Sequence, residues 1–311
     1  KLQGSITDGD VRRGLLNGVI IDDLVVKILQ PNPKFIFKSN YDLQKIIDLR
    51  NENYKVFPVL DNDGVIINVI NFRLIKSYLP LDAIIMAGGK GTRLRPLTND
   101  IPKPLLPVGD KTIMGHNVDR LTEFGIDDFW FSVNYLGEKI QDFFGSGKQK
   151  NISISYVWED IPLGTIGAIS KIDDLKHEDV LVTNSDILTN LDYEQFYLDF
   201  KNSNADLAIA SIPYKVNIPY AVLEQDDDGT IRGFKEKPTY TYYSNGGIYL
   251  MKKSVLSLIP KNSFFNATDL INELISKNKK VVSFTFPGYW LDIGKHDDYK
   301  KAQIDIKKIK F

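Results

Sequence analysis

An apolar run at Ala83–Ala87 leads into GGKGTRLRPLTNDIPKPLLPVG at 88–109, which concentrates residues able to hold a polyanion. Gly88, Gly89 and Gly91 accept positive φ and turn backbone N–H groups toward a ligand with no Cβ in the way. Lys90, Arg93, Arg95 and Lys103 place four cations within fourteen residues, opposed only by Asp100, a local +3 in a chain of net charge −1. Pro96, Pro102, Pro104 and Pro107 bar a helix and hold the loop in an extended path. Two commoner glycine motifs fail. A Walker A loop needs Ser or Thr after Gly-Lys, and here Gly91 follows Lys90. A dinucleotide fingerprint starting at Gly89 would need a third glycine where Leu94 stands, and a helix where the prolines forbid one.

Other positions could complete a site around this trap. Asn184-Ser185-Asp186 follows the apolar run Val180–Thr183, so Asp186 projects from the carboxyl end of a parallel strand, where open α/β sheets bind ligands. An aspartate there also reads as a helix cap. Pro162–Ala168 carries Gly164 and Gly167; a glycine-permitted helix start explains the first but not the spaced pair. Phe234-Lys235-Glu236-Lys237-Pro238 reads either as a ligand-facing block or as a solvated turn after a hairpin. Ser244-Asn245-Gly246-Gly247-Ile248-Tyr249 reads either as a pocket lining or as a bulge. Tyr240, Tyr242 and Tyr243 suggest a lid or packing surface, Lys277–Lys280 a helix end, and His116 and His296 ordinary helix positions.

The elements that position these residues alternate from Leu81 onward, the pattern of an α/β sheet. Strands are predicted at Ala83–Ala87, Phe129–Val133, Ile152–Val157, Val180–Thr183, Leu207–Ile212 and Ile248–Met251. Helices are predicted at 112–124, 137–144, 165–173, 192–202, 268–277 and 296–305, and a hairpin at Tyr220–Gln225 and Thr230–Lys235. The first eighty residues differ. A short extended piece at Leu2–Ile6 precedes a helix capped by Thr7-Asp8-Gly9-Asp10 and running to Asn17. Apolar Val25–Leu29, extended Lys34–Phe37, a helix at Leu43–Asn51, a hairpin of Val56–Leu60 and Val65–Ile70 across Asp61–Gly64, and a helix at Phe72–Tyr78 follow.

Composition narrows the class. With 311 residues, 43% hydrophobic and 25% charged, the chain is globular and long enough for two domains. It has no cysteine, which excludes disulfides, thiolate nucleophiles and Cys-ligated metals. Its three histidines lack metal-site spacing. No apolar run approaches the roughly 20 residues that span a bilayer, and the balanced charge gives no footprint for nucleic acid. A soluble cytoplasmic protein is the expectation, without a membrane or nucleic-acid partner. The first residue, Lys1, suggests a fragment of a longer chain.

The string at 88–109 resembles the signature of the sugar-1-phosphate nucleotidylyltransferases, of the mannose-1-phosphate guanylyltransferase type, and the resemblance covers about 82–305. It implies a Rossmann-like mixed, mostly parallel sheet flanked by helices over 81–311. By the same resemblance Ala87, Gly88, Gly89, Gly91, Thr92, Gly164 and Thr165 bind the nucleotide, with small residues at 162–168 letting a purine lie flat. Arg93 and Lys103 are the catalytic cations. Glu236, Lys237, Asn245 and Gly246 bind the sugar phosphate. Asp186 and Asp292, the latter in Trp290-Leu291-Asp292-Ile293-Gly294, bind Mg²⁺; many family members have Gly where Ser185 stands. The implied partners are a nucleoside triphosphate, with GTP favoured, and a sugar 1-phosphate.

Residues 1–80 resemble a partial CBS pair, a small α+β module, with 4–18 as the end of one repeat and 34–79 as the next. In that family a Thr-x-x-Asp binds an adenosine nucleotide, and Thr7 and Asp10 match it, although they also read as a plain helix cap. Asn71-Phe72-Arg73-Leu74 departs from the pattern in the second repeat. Both resemblances imply a homo-oligomer. The competing readings are a catalytically silent nucleotide sensor and a thymidylyl- or uridylyltransferase.

Overall fold

The computed structural model describes residues 1–309; residues 310 and 311 of the expected second domain lie outside them. The chain forms two compact units, one of Lys1–Leu79 with Glu123–Gly125, the other of Pro80–Thr122 with the chain from Ile126 onward.

In the first unit, helix α1 (Asp8–Leu16) begins at the N-cap Thr7. Strand β1 (Ile36–Phe37), helix α2 (Leu43–Asn51, capped by Asp42), strand β2 (Val56–Leu60) and strand β3 (Ile66–Asn71) follow. The strands make a three-stranded sheet, β1 parallel and β3 antiparallel to β2. Ile36, Ile46, Leu49, Phe57, Val59 and Ile70 fill its core.

The helix predicted at Phe72–Tyr78 does not form. One turn closes as Leu74 and Ile75 N–H donate to the Asn71 carbonyl, and Leu79 N–H then donates to Phe124 at 3.0 Å. Main-chain bonds from Lys76 and Leu79 to Glu123 and Phe124 have taken donors that a helix would have used, and Pro80 ends the segment. Val25–Lys27 is a short 3₁₀ turn, and the predicted piece at 2–6 contributes a bridge from Ser5 to Gln30 and a bond from Leu2 N–H to the Gly64 carbonyl at 3.2 Å.

The second unit opens with strand β4 (Leu81–Met86). The glycine–proline loop follows, containing only 3₁₀ turns at Thr92–Leu94 and Lys103–Leu105, as its prolines require. Next come β5 (Pro107–Val108), β6 (Lys111–Thr112), helix α3 (Ile113–Glu123), β7 (Asp128–Val133), α4 (Gly137–Phe144), β8 (Ser153–Trp158), β9 (Asp179–Asn184), β10 (Ile187–Thr189) and α5 (Tyr193–Ser203). The chain continues through β11 (Leu207–Asn217), β12 (Val222–Gln225), β13 (Ile231–Lys235), β14 (Thr239–Lys252), α6 (Ala267–Ser276), β15 (Val281–Thr285), β16 (Trp290–Asp292) and α7 (His296–Asp305).

Seven strands form one sheet in the order β15-β11-β14-β9-β4-β7-β8, in which only β14 runs antiparallel to its neighbours. Inner strands β4 and β9 are buried on both faces, which is why they read as continuous apolar runs rather than alternating ones. Each large side chain buried there contributes about 1.5–3 kcal/mol. The 14-residue strand β14 was predicted only at Ile248–Met251; its first half pairs with an extension of β11 beyond the sheet. A register break between Ile209 and Ser211 lies opposite Gly246 and Gly247, so the bulge reading of those glycines describes the backbone. The helix predicted at 165–173 is a 3₁₀ turn at Gly167–Lys171, because Ile166 and Gly167 N–H both donate to Phe265 instead of starting an α-helical ladder.

Candidate active site

The carboxyl ends of β4, β8 and β9 frame a cavity of about 420 Å³. It is lined by Gly88, Gly89, Gly91, Thr92, Arg93 and Lys103 of the loop after β4, by Pro162, Gly164 and Thr165, by Asn184, Ser185 and Asp186, and by Met86, Pro104, Glu159 and Phe264. The glycines, Arg93 and Lys103 of the predicted anion trap, the Gly164–Thr165 segment and Asp186 therefore share one space, whereas Lys90 and Arg95 are not among the described residues lining it. Ala87 sits just behind it, 1% exposed, with its N–H donated to Ser132.

The loop is shaped by close approach. Gly91 has φ +59°, and a Cβ there would stand 3.0 Å from Lys103 Cβ, so glycine lets the loop fold back on its own second half. Thr98 Oγ1 donates to the Gly91 carbonyl at 2.8 Å and fixes that fold. Leu94, fully buried, inserts into a small core of Leu106, Val108, Ile113, Leu188, Leu291 and Ile293. Anchoring Leu94 and Ile293 in one core holds their neighbours Arg93 and Asp292 near each other.

Asp186 and Asp292 meet through a short antiparallel ladder. β10 pairs with β16, Ile187 opposite Asp292, and Ile293 N–H donates to the Asp186 carbonyl at 3.0 Å. Lys103 forms an ion pair with Asp186 Oδ2. Burial and the adjacent Asp186 carboxylate push Asp292 above the usual carboxyl range, while Lys103 and Arg93 pull it back. Oδ1 of both aspartates is buried without a hydrogen-bond partner. Two hard oxygen donors left unsatisfied beside a phosphate-sized cationic loop fit a magnesium-type cation, which takes one or two carboxylates and completes its octahedron with phosphate and water.

Several contributors carried no sequence prediction. Glu159, just past β8 and 8% exposed, accepts from Ser132 Oγ at 2.6 Å and from Leu163 N–H at 3.0 Å, tying the end of β7 to the segment that follows β8. Its place after a parallel strand, on the ligand-binding edge, is the signal that could have found it. The buried Asn117 amide on α3 donates to the Ser185 carbonyl at 3.1 Å and holds the turn before Asp186. Gly294 lets Arg93 lie close, since a Cβ there would stand 3.3 Å from Nη1.

The glycine pair at 164 and 167 also has a packing reason. Cβ atoms there would stand 2.6 Å from the carbonyls of Phe265 and Ser263, so both glycines admit the neighbouring backbone of 263–266. Thr165 Oγ1 accepts from Ala267 N–H at 2.9 Å, locking this loop to the start of α6.

The remaining predicted residues lie elsewhere. Gly246 is joined to the Asp292 strand by a 2.9 Å bond from Trp290 Nε1 to its carbonyl, and Asn245 Oδ1 accepts from Gly247 N–H at 2.9 Å. Glu236 and Lys237 are exposed on the turn after β13 and are not among the described residues lining the cavity. Thr7 and Asp10 belong to the first unit, where they close a reciprocal capping box: Asp10 N–H donates to Thr7 Oγ1, and Asp10 Oδ2 accepts from Thr7 N–H at 2.8 Å.

A nucleotidyl transferase family model matches residues 82–309. The D-glycero-alpha-D-manno-heptose 1-phosphate guanylyltransferase of Aneurinibacillus thermoaerophilus is 33% identical over 229 residues, covering 73% of this chain and 99% of that protein. The mannose-1-phosphate guanylyltransferase of Mycobacterium tuberculosis is 30% identical over 232 residues, covering 73% of this chain but 64% of that protein. Among solved structures, HddC from Yersinia pseudotuberculosis complexed with GMP-PN superposes with a TM-score of 0.56 at 27% identity, covering 73% of this chain and 99% of that one. With the cavity built from the same stretch that the family model matches, the chain belongs to the nucleotidyl transferase family.

Proposed function

We propose that the unit from Pro80 onward, the expected domain 81–311, transfers a nucleotidyl group from a nucleoside triphosphate, GTP in preference, to a sugar 1-phosphate of the mannose or hexosamine type. The observation that carries this reading is the shared cavity: the cationic glycine loop and Asp186 line one space, with Asp292 paired beside it. Guanylyltransferases among the relatives support GTP.

In the reaction a phosphate oxygen of the sugar 1-phosphate bonds to the α-phosphorus, the bond from that phosphorus to the β-bridging oxygen breaks, and pyrophosphate leaves. The nucleophile is already an anion, so the protein needs no general base. Its tasks are in-line placement and relief of repulsion between two polyanions. Gly88, Gly89 and Thr92 offer backbone at the triphosphate, while Arg93 and Lys103 balance charge as phosphorus becomes crowded. Gly164 and Thr165 border the nucleoside end. Asn245 and Gly246, held through Trp290, with Glu236 and Lys237 on a turn that would have to approach, receive the sugar phosphate. The family is typically dependent on a divalent metal; Mg²⁺ held by Asp186 and Asp292 would draw charge from the phosphate oxygens.

The first unit serves in this reading as a CBS-type module taking an adenosine nucleotide at Thr7 and Asp10, and the protein as a cytoplasmic homo-oligomer of surface-sugar synthesis. Pyrophosphate release across four nucleoside triphosphates and several sugar 1-phosphates tests the catalytic proposal, with GTP expected to give the highest kcat/KM. A uridylyl relative in Synechocystis, 30% identical over 242 residues, and a thymidylyltransferase-titled structure from Bacillus anthracis keep UTP and dTTP as the second reading, which the same grid decides. Adenosine nucleotide binding without pyrophosphate from any pair would sink the enzyme reading in favour of a silent sensor.

A further inference from the structure

A second polar cluster lies at the opposite end of the sheet, where β4, β7 and β9 begin. One ring nitrogen of His177 and one carboxylate oxygen from each of Asp127 and Asp128 fall within 4.8 Å of one another. His177 and Asp128 side chains are 9% and 4% exposed, with Nε2 and Oδ2 3.5 Å apart. Nε2 is buried and makes no hydrogen bond, so this contact lacks hydrogen-bonding geometry. Lys176 pairs with the other Asp128 oxygen, Oδ1. Behind the imidazole, fully buried Asp82 accepts the His177 N–H at 2.7 Å and fixes its main chain.

We propose that Asp127, Asp128 and His177 form a second cation site, for a divalent transition metal of the zinc class. A buried imidazole nitrogen left without a hydrogen bond is costly unless something accepts its lone pair. The 3.5 Å between Nε2 and Oδ2 is close to the edge of a tetrahedron whose metal–ligand bonds are about 2.0–2.1 Å, roughly 3.4 Å. Nitrogen with two carboxylate oxygens suits zinc-class ions, whereas magnesium prefers oxygen alone. Asp127, only half-buried, leaves the fourth position open to water. The site clamps the start of β7 to the segment entering β9, far along the strands from Asp186 and Asp292, so its role is structural.

The test uses the full chain stripped of metal. Zn²⁺ is expected to raise the Tm of both the wild type and the Asp186→Asn/Asp292→Asn double variant, and Mg²⁺ to leave the double variant unmoved. Co²⁺ is expected to give visible ligand-field bands in both proteins. His177→Gln is expected to lose those bands and to weaken Zn²⁺ binding tenfold or more. Should His177→Gln not fold, Asp127→Asn carries the same expectation at a more exposed position. No Zn²⁺-dependent rise, an equal rise in the His177 and Asp127 variants, a rise lost in the double variant, or an equal response to Mg²⁺ overturns the proposal.

Discussion

The Glu159 carboxylate stands 2.7 Å from where a Cβ on Gly88 would be. That contact couples the first turn of the glycine loop to the carboxylate bridging Ser132 and Leu163. Gly88→Ala must therefore move either the loop or Glu159, and is expected to lower kcat/KM at least tenfold and to reduce Tm. Gly89 has nothing within 4 Å of its ideal Cβ while lining the cavity. Gly89→Ala is expected to raise KM for the triphosphate and leave Tm unchanged. Steady-state kinetics beside thermal unfolding separate the two.

Asp186→Asn and Asp292→Asn are each expected to lower kcat by about 10²–10³-fold or more, in line with the loss of a charge aimed at the reacting phosphates. Asp292→Asn removes a buried charge that repels Asp186. In chelator its Tm is expected to match or exceed wild type, while the Tm gain on adding Mg²⁺ disappears. An Mg²⁺ gain retained in both variants would remove the metal from this pair.

Lys103 is the partner of Asp186 and its side chain is 10% exposed. Lys103→Ala leaves two carboxylates facing each other, so metal-free stability is expected to fall by about 1–3 kcal/mol. Added Mg²⁺ should restore most of that loss but not turnover. Measured kcat should fall more than KM rises, because the charge matters most in the transition state.

Gly294→Ala places a Cβ 3.3 Å from Arg93 Nη1 and 3.4 Å from Nη2. The guanidinium must shift by a few tenths of an ångström, and catalytic groups are sensitive to displacement on that scale. The expected result is a kcat lowered about tenfold with Tm unchanged. A kcat equal to wild type would separate Arg93 from the chemistry.

The capping box in the first unit gives a pH test. Hydrogen bonds from Thr7 hold Asp10 below its ordinary value of 3.8. A lowered carboxyl contributes stability that is present above the unfolded value and lost as pH falls through the folded one. This unit is therefore expected to lose stability below about pH 4, and Thr7→Ala to cost about 0.5–2 kcal/mol and flatten that acid limb. Amide exchange within α1 reads both effects.

Read alone, the sequence determined what depends on neighbours along the chain. The glycines and prolines of 88–109 dictate a loop without an α-helix, and the cations dictate its charge. The apolar runs of β4 and β9 mark strands, and helix α4 falls where its pattern placed it. The tertiary structure alone decided whatever depends on partners distant in sequence. It joined Asp186 to Asp292 through two three-residue strands too short to show a period, and brought Glu159 against Ser132 and Asn117 against Ser185, each distant along the chain. It also drew Lys76 and Leu79 out of a helix into main-chain bonds with Glu123 and Phe124, and set Gly164 and Gly167 against a backbone nearly a hundred residues away. Local propensity is worth tenths of a kcal/mol per residue, so a hydrogen bond or a buried contact offered by a distant segment overrides it.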